Sequence, residues 1–115
     1  MALVPDCIFC KIIIGEIEAD VVFRNENVVA FNDLNPQAPT HVLLVPTLHT
    51  ENAAGVARNS ATITAALFLA ADEIATQRGL SGYRTVFNTG GAAGQSVFHA
   101  HLHLLGGRAM AWPPG

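Results

Sequence analysis

Apolar runs alternate with polar punctuation along the chain, and the spacing within each run predicts its element. Residues 7–14 form a short apolar stretch of one or two helical turns that stops at Gly15. A strand over 21–24 and a second over 28–33 are separated by Asn25-Glu26-Asn27, a tight hairpin turn. In Asn35-Pro36-Gln37-Ala38-Pro39 each proline fixes φ and removes a donor, which makes this segment a connector. Residues 41–45 read as another strand, ended by Pro46. Over 60–78 the apolar positions Ile63, Leu67, Ala70 and Ile74 recur at helical spacing, with Ser60 or Asn59 as the cap and Gly79 just past the end. This is the one long helix. Two further strands, 83–88 and 98–105, flank the loop 89–96. Five strands with hairpin-scale links and one helix laid on a face predict an α+β fold with an antiparallel sheet, as one domain over 1–115.

Composition changes this picture in one respect. Of the 115 residues 50% are hydrophobic and only 13% charged, against about 25% charged in an average soluble domain. Burying part of so apolar a surface against a second copy resolves the imbalance, so a homodimer is expected. The net charge is −3, and the six basic residues Lys11, Arg24, Arg58, Arg78, Arg84 and Arg108 are scattered. They form no stripe for a nucleic-acid polymer, so a bound phosphate must be held locally by neutral donors and histidine. The start of the chain has no basic segment followed by an apolar one, and no run approaches the ~20 residues that span a bilayer. A cytoplasmic protein without a membrane partner is the expectation, and there Cys7 and Cys10 stay reduced.

The chemistry concentrates in His99-Ala100-His101-Leu102-His103-Leu104-Leu105. Side chains in a strand alternate faces, so the three imidazoles line one side while Ala100, Leu102 and Leu104 enter the core. A single strand histidine is more often a satisfied structural residue, but three in a row are an uncommon choice for a merely solvated face. The preceding loop carries Gly90, Gly91 and Gly94, which let backbone amides approach an anion, and Gln95 and Ser96 add side-chain donors. Cys7-Ile8-Phe9-Cys10 admits three readings: half of a tetrahedral zinc site, a redox pair, or two small core residues. Redox chemistry is the weakest, because only six residues precede Cys7 and no strand leads into it. Asp33, read alone, is a turn or cap residue before Asn35-Pro36.

The segment 99–105 resembles the signature of the histidine triad (HIT) family, His-φ-His-φ-His-φ-φ with φ hydrophobic. The similarity extends through residues 7–14, 31–39, 41–46, 94–96 and the tail 106–115. It is greatest to the Hint branch, homodimeric purine nucleoside phosphoramidases that split the P–N bond between a nucleoside monophosphate and an amine, AMP-lysine included, without a catalytic metal. The resemblance implies a HIT-like sheet extended across a homodimer, with a short N-terminal helix beside the long one. It makes His101 the nucleophile. His103 hydrogen-bonds a phosphate oxygen, donors at Gly94, Gln95 and Ser96 stabilise the growing charge, and Ser96 passes a proton to the leaving amine. Asn88 is a polar contact near the phosphate and Asp33 takes the ribose hydroxyls. Phe9, Ile12, Ile17, Phe31 and Leu34 resemble the residues that sandwich the purine, although such side chains taken alone are ordinary core. The tail with Trp112 crosses toward the partner's active site and influences the leaving group. Ala92, Ala93, Ala109 and Ala111 depart from more polar residues in some members.

The resemblance also bears on the cysteines. His49 and His99 complete a structural zinc site with Cys7 and Cys10, in which case His99, otherwise catalytic with the rest of the triad, donates no proton. Without zinc, His49 buttresses the triad. His41 is read as structural. One alternative is a nucleotide-binding or scaffolding protein with incidental turnover, since binding and catalysis use the same pocket; dinucleoside polyphosphate hydrolysis and nucleotidyl transfer rank lower because His103 is intact and the tail resembles Hint.

Overall fold

The computed structural model describes residues 3–115. Its elements run α1 (Ile8–Ile13), β1 (Val21–Arg24), β2 (Val28–Asn32), β3 (Thr40–Pro46), α2 (Ala53–Asn59), α3 (Ala61–Gln77), β4 (Tyr83–Val86) and β5 (Leu102–Gly106), with a single 3₁₀ turn at Gly91–Ala93. The five strands form one antiparallel sheet in the order β1-β2-β3-β5-β4.

Antiparallel sheets commonly leave one face to water, yet β2 and β3 are buried along almost their whole length. The reason is a helix on each side. Val28, Ala30, Val42, Leu44, Leu102 and Leu104 pack against Leu67, Ala70, Ala71 and Ile74 of α3. The alternate residues Val29, Phe31, Leu43 and Val45 pack against Phe9 and Ile12 of α1. Period two thus assigns the odd-numbered residues of β3 and the histidines flanking Leu102 to the α1 side.

Two sequence expectations are corrected. The segment 98–105 is not a continuous strand: β5 begins at Leu102, so His99 and His101 precede the ladder and only His103 lies within it. The three residues still alternate, because Ala100, Leu102 and Leu104 enter the α3-side core. The long helix is also not alone after β3, since α2 precedes it. Asn52 caps α2 by accepting from the Gly55 amide at 2.9 Å. Ser60 both closes α2, through its amide to Val56, and opens α3, through its hydroxyl to the Ile63 amide. With only Val56 buried, α2 leaves no apolar period to read. Gly55 is needed there, because a Cβ would stand 2.8 Å from Thr50 Cγ2.

Candidate active site

Strand register builds the first half of the site. In the β3–β5 ladder Leu43 faces His103 and His41 faces Leu105, so His41 and His103 are diagonal neighbours on the α1 side. Their rings meet through Nε2 of His41 and Nδ1 of His103 at 2.9 Å. Asp33, just past β2, donates its amide to the His41 carbonyl and brings Oδ2 to 3.4 Å from His41 Nε2. Its other oxygen accepts the Asn35 amide at 2.8 Å. Asp33 is therefore a turn residue and a site residue at once.

Hydrogen-bond partners fix the tautomers of the ring nitrogens. The Gln37 amide donates to His41 Nδ1 at 3.0 Å, which leaves the His41 proton on Nε2, directed at His103 Nδ1. The His103 proton therefore sits on Nε2, the one buried side-chain polar atom without a partner among the described residues. His101 donates from Nδ1 to the His99 carbonyl at 2.9 Å, so its Nε2 keeps a free lone pair. The rings of His101 and His103 are 5.0 Å apart. A free imidazole lone pair and an unpaired donor stand side by side.

Burial keeps this donor neutral. It pushes His103 down to about 4, helped by the neighbouring His101 and His41 and opposed by Asp33. Burial also lowers His41, against the pull of Asp33.

The second half of the site is a four-donor cluster of Cys7, Cys10, His49 and His99, whose ligand atoms lie within 4.8 Å of one another. His99 Nδ1 is 3.4 Å from Cys7 Sγ, 3.5 Å from Cys10 Sγ and 3.1 Å from His49 Nδ1, while Cys10 Sγ is 3.3 Å from His49 Nδ1. Bonds of about 2.0–2.1 Å to nitrogen and 2.3 Å to sulfur give a zinc tetrahedron with edges of roughly 3.3–3.8 Å. The donors fit a metal ion. His99 is prepared for it, because its Nε2–H donates to the Pro46 carbonyl at 2.9 Å and leaves the Nδ1 lone pair facing the sulfurs. His99 is fully buried, with Nε2 on the Pro46 carbonyl and Nδ1 among the cluster donors, the arrangement in which it serves as a metal ligand and donates no proton.

Asp33, His41 and His103 also converge within 4.8 Å, but that trio is a hydrogen-bond chain. Ligation through His41 Nε2 would require its proton to move to Nδ1, where the Gln37 amide already donates.

Phe9, Ile12, Ile17, Phe31, Leu34 and Asp33 line one cleft of about 190 Å³. Leu34 stands at its rim, 99% exposed. Trp112, 82% exposed, lies outside the cleft. In the glycine loop the Gly94 and Gln95 amides donate to Gly91 and Gly90 and are not free for an anion. Gln95 is buried, and its side chain accepts from the Gly90 amide and donates to the carbonyls of Glu51 and Val97. It holds the loop from inside. Ser96 is exposed in a groove it shares with Cys7, His49 and Phe98. Asn88 is half-buried beyond the end of β4. The residue that sequence reasoning missed is His41. A lone histidine at the start of a strand carries no signal until the register places it against His103.

The HIT domain model matches residues 14–110. The chain belongs to the HIT family. Among its relatives is a 14 kDa zinc-binding protein of Zea mays, 48% identical over 112 residues that cover 94% of this chain and 87% of that protein. The adenylylsulfatase HINT1 of Arabidopsis thaliana is 44% identical over 112 residues, covering 94% of this chain and 76% of that protein. The crystal structure of a HIT family hydrolase from Legionella pneumophila superposes with a TM-score of 0.92 at 49% identity, covering 96% of this chain and all of that one. Within the family the chain falls in the Hint-like branch, and it is a hydrolase of the histidine triad superfamily.

Proposed function

We propose that the chain is a purine nucleoside phosphoramidate hydrolase that cleaves AMP–amine P–N bonds through a nucleotidyl-histidine intermediate. The observation that carries this reading is the pair of fixed tautomers, a free lone pair on His101 Nε2 beside an unpartnered Nε2–H on His103.

The purine enters the cleft between Phe9, Ile12, Ile17, Phe31 and Leu34, and Asp33 accepts the ribose hydroxyls. His101 Nε2 attacks the α-phosphorus. Its lone pair forms the N–P bond as the P–N bond to the amine breaks, and the amine leaves with a proton supplied by Ser96 or solvent. His103 Nε2–H meets a non-bridging oxygen as charge grows there, and the Ser96 amide supports it. Water then attacks phosphorus and gives up a proton to solvent, the P–Nε2 bond breaks with its electron pair returning to Nε2, and the nucleoside monophosphate leaves with His101 neutral again. The cluster of Cys7, Cys10, His49 and His99 holds structural zinc in this reading and takes no part in bond making. The free thiols fit a reducing, cytosolic compartment. The functional unit is a homodimer whose sheet continues across the edge strand β4. The tail reaches the partner's site from there, past a cavity of about 640 Å³ lined by Tyr83, Arg84 and Arg108.

The adenylylsulfatase name of the Arabidopsis relative favours one second reading, hydrolysis of a nucleotide sulfate by the same attack on phosphorus. Turnover of an adenosine phosphoramidate and of adenylyl sulfate by wild type and His101→Ala, with intact-mass analysis of quenched reactions, tests both. The expected result is faster phosphoramidate turnover, an AMP-sized adduct in wild type, and neither in the variant. A wild type that binds AMP without turnover or adduct would leave a nucleotide-binding role as the better account.

A further inference from the structure

We propose that the four-donor cluster is a positioning device for the nucleophile and the base cleft as well as a staple for the fold. This rests on the reading in which His101 attacks phosphorus. The stretch that carries His101 lies outside the sheet ladder, which begins at Leu102, so strand pairing does not fix it. Its main chain is anchored by the Ala100 amide on the Thr50 carbonyl, and the neighbouring ring, His99, is held at Nδ1 by the donor cluster and at Nε2 by Pro46. The carbonyl of this same His99 receives the His101 Nδ1–H. Whatever fixes residue 99 therefore fixes which nitrogen of His101 is free.

A second path converges on the same ring. The α1 helix has six residues, too few to be stable alone, and two of the four donors bracket its first turn. Between them Phe9 packs edge-on against His101 with ring centres 5.1 Å apart, against His99 at 5.9 Å, and against Phe31 of the cleft at 5.6 Å. An ion that ties Cys7 and Cys10 to His49 and His99 clamps α1 onto the sheet. It thereby sets Phe9 against both the nucleophile and the purine wall. Loss of the ion removes no reacting group, yet it releases the Nδ1 side of the His99 ring and unclamps Phe9, leaving only the Thr50 and Pro46 carbonyls to hold the stretch that orients His101.

The test uses the full chain loaded with zinc, its His49→Ala variant, and His49→Cys, which restores four donors. Readouts are bound metal by mass spectrometry, the His101 tautomer by ¹⁵N NMR, AMP affinity by calorimetry, and phosphoramidate turnover. In His49→Ala the expected result is lost metal, mixed His101 tautomers, and AMP affinity and kcat each lower by roughly 10- to 100-fold. His49→Cys is expected to recover all four. A folded His49→Ala protein without metal that keeps the Nδ1–H tautomer and wild-type AMP affinity overturns the proposal. Should His49→Ala not fold, removal of zinc from the wild type by a chelator decides, since it keeps every side chain. It must mix the His101 tautomers and weaken AMP binding, and unchanged values overturn the proposal. Metal-dependent tautomer and AMP binding without P–N cleavage would uphold the positioning role while the hydrolase reading fails.

Discussion

In the proposed reaction His103 meets an anion as a neutral donor, and the same burial that keeps it neutral links it to stability. Its value falls from 6.5 to about 4 in the folded protein, so between those limits the unfolded chain binds a proton that the native chain refuses. The contribution is complete above about pH 6.5, declines as pH falls, and is exhausted once the folded group titrates near 4. His103→Gln cannot titrate, so on going from pH 7 to 4.5 its melting temperature is expected to fall less than that of wild type. Acid release of a bound metal affects both proteins alike, and parallel curves would show that burial is not what holds His103 neutral. The alternation of imidazoles was legible at this scale because a period of two needs only neighbouring residues. The partnership of His41 with His103 was not, since 62 positions separate them and only the register between β3 and β5 makes them neighbours.

Among the elements, the glycine loop departs most from what its composition suggests. Glycines near a triad read as free amides awaiting phosphate, whereas Gly94, at φ +94°, closes a turn in which its own amide and that of Gln95 are spent. Gln95→Leu keeps the volume but strands the Gly90 amide and two carbonyls. A loss on the order of 1–3 kcal/mol in chemical denaturation is expected, together with a raised KM as the loop loosens around Ser96. An unchanged KM would show that the loop's shape is set without Gln95. Strands β1 to β4 and helix α3 were legible to within a few residues, because their apolar positions face a common core. Helix α2 and the late start of β5 were not. The first buries too little to leave a pattern, and the second depends on His99 and His101 being held by side-chain and carbonyl contacts in place of a ladder.

At the scale of the whole molecule, the exposed Phe68 and Leu69 of α3 and Tyr83 on the β4 edge remain apolar against water. Sedimentation is expected to show two chains per particle, and Leu69→Glu is expected to shift the population toward monomer. A monomeric wild type would remove the dimer from the functional account. The arginines have a different consequence. Arg24 donates to the Ile13 carbonyl, Arg78 to Asn32 and Thr40, Arg84 to the Ala111 carbonyl and Arg108 to the Gln37 carbonyl, so these four brace the chain, and no arginine lines the cleft. With a net charge of −3, the chain offers the anionic substrate of the proposed reaction no attracting long-range field. kcat/KM should hold level or rise as ionic strength increases to about 1 M, where charges more than roughly 3 Å apart are screened; a steep decline would reveal an attracting potential at the cleft.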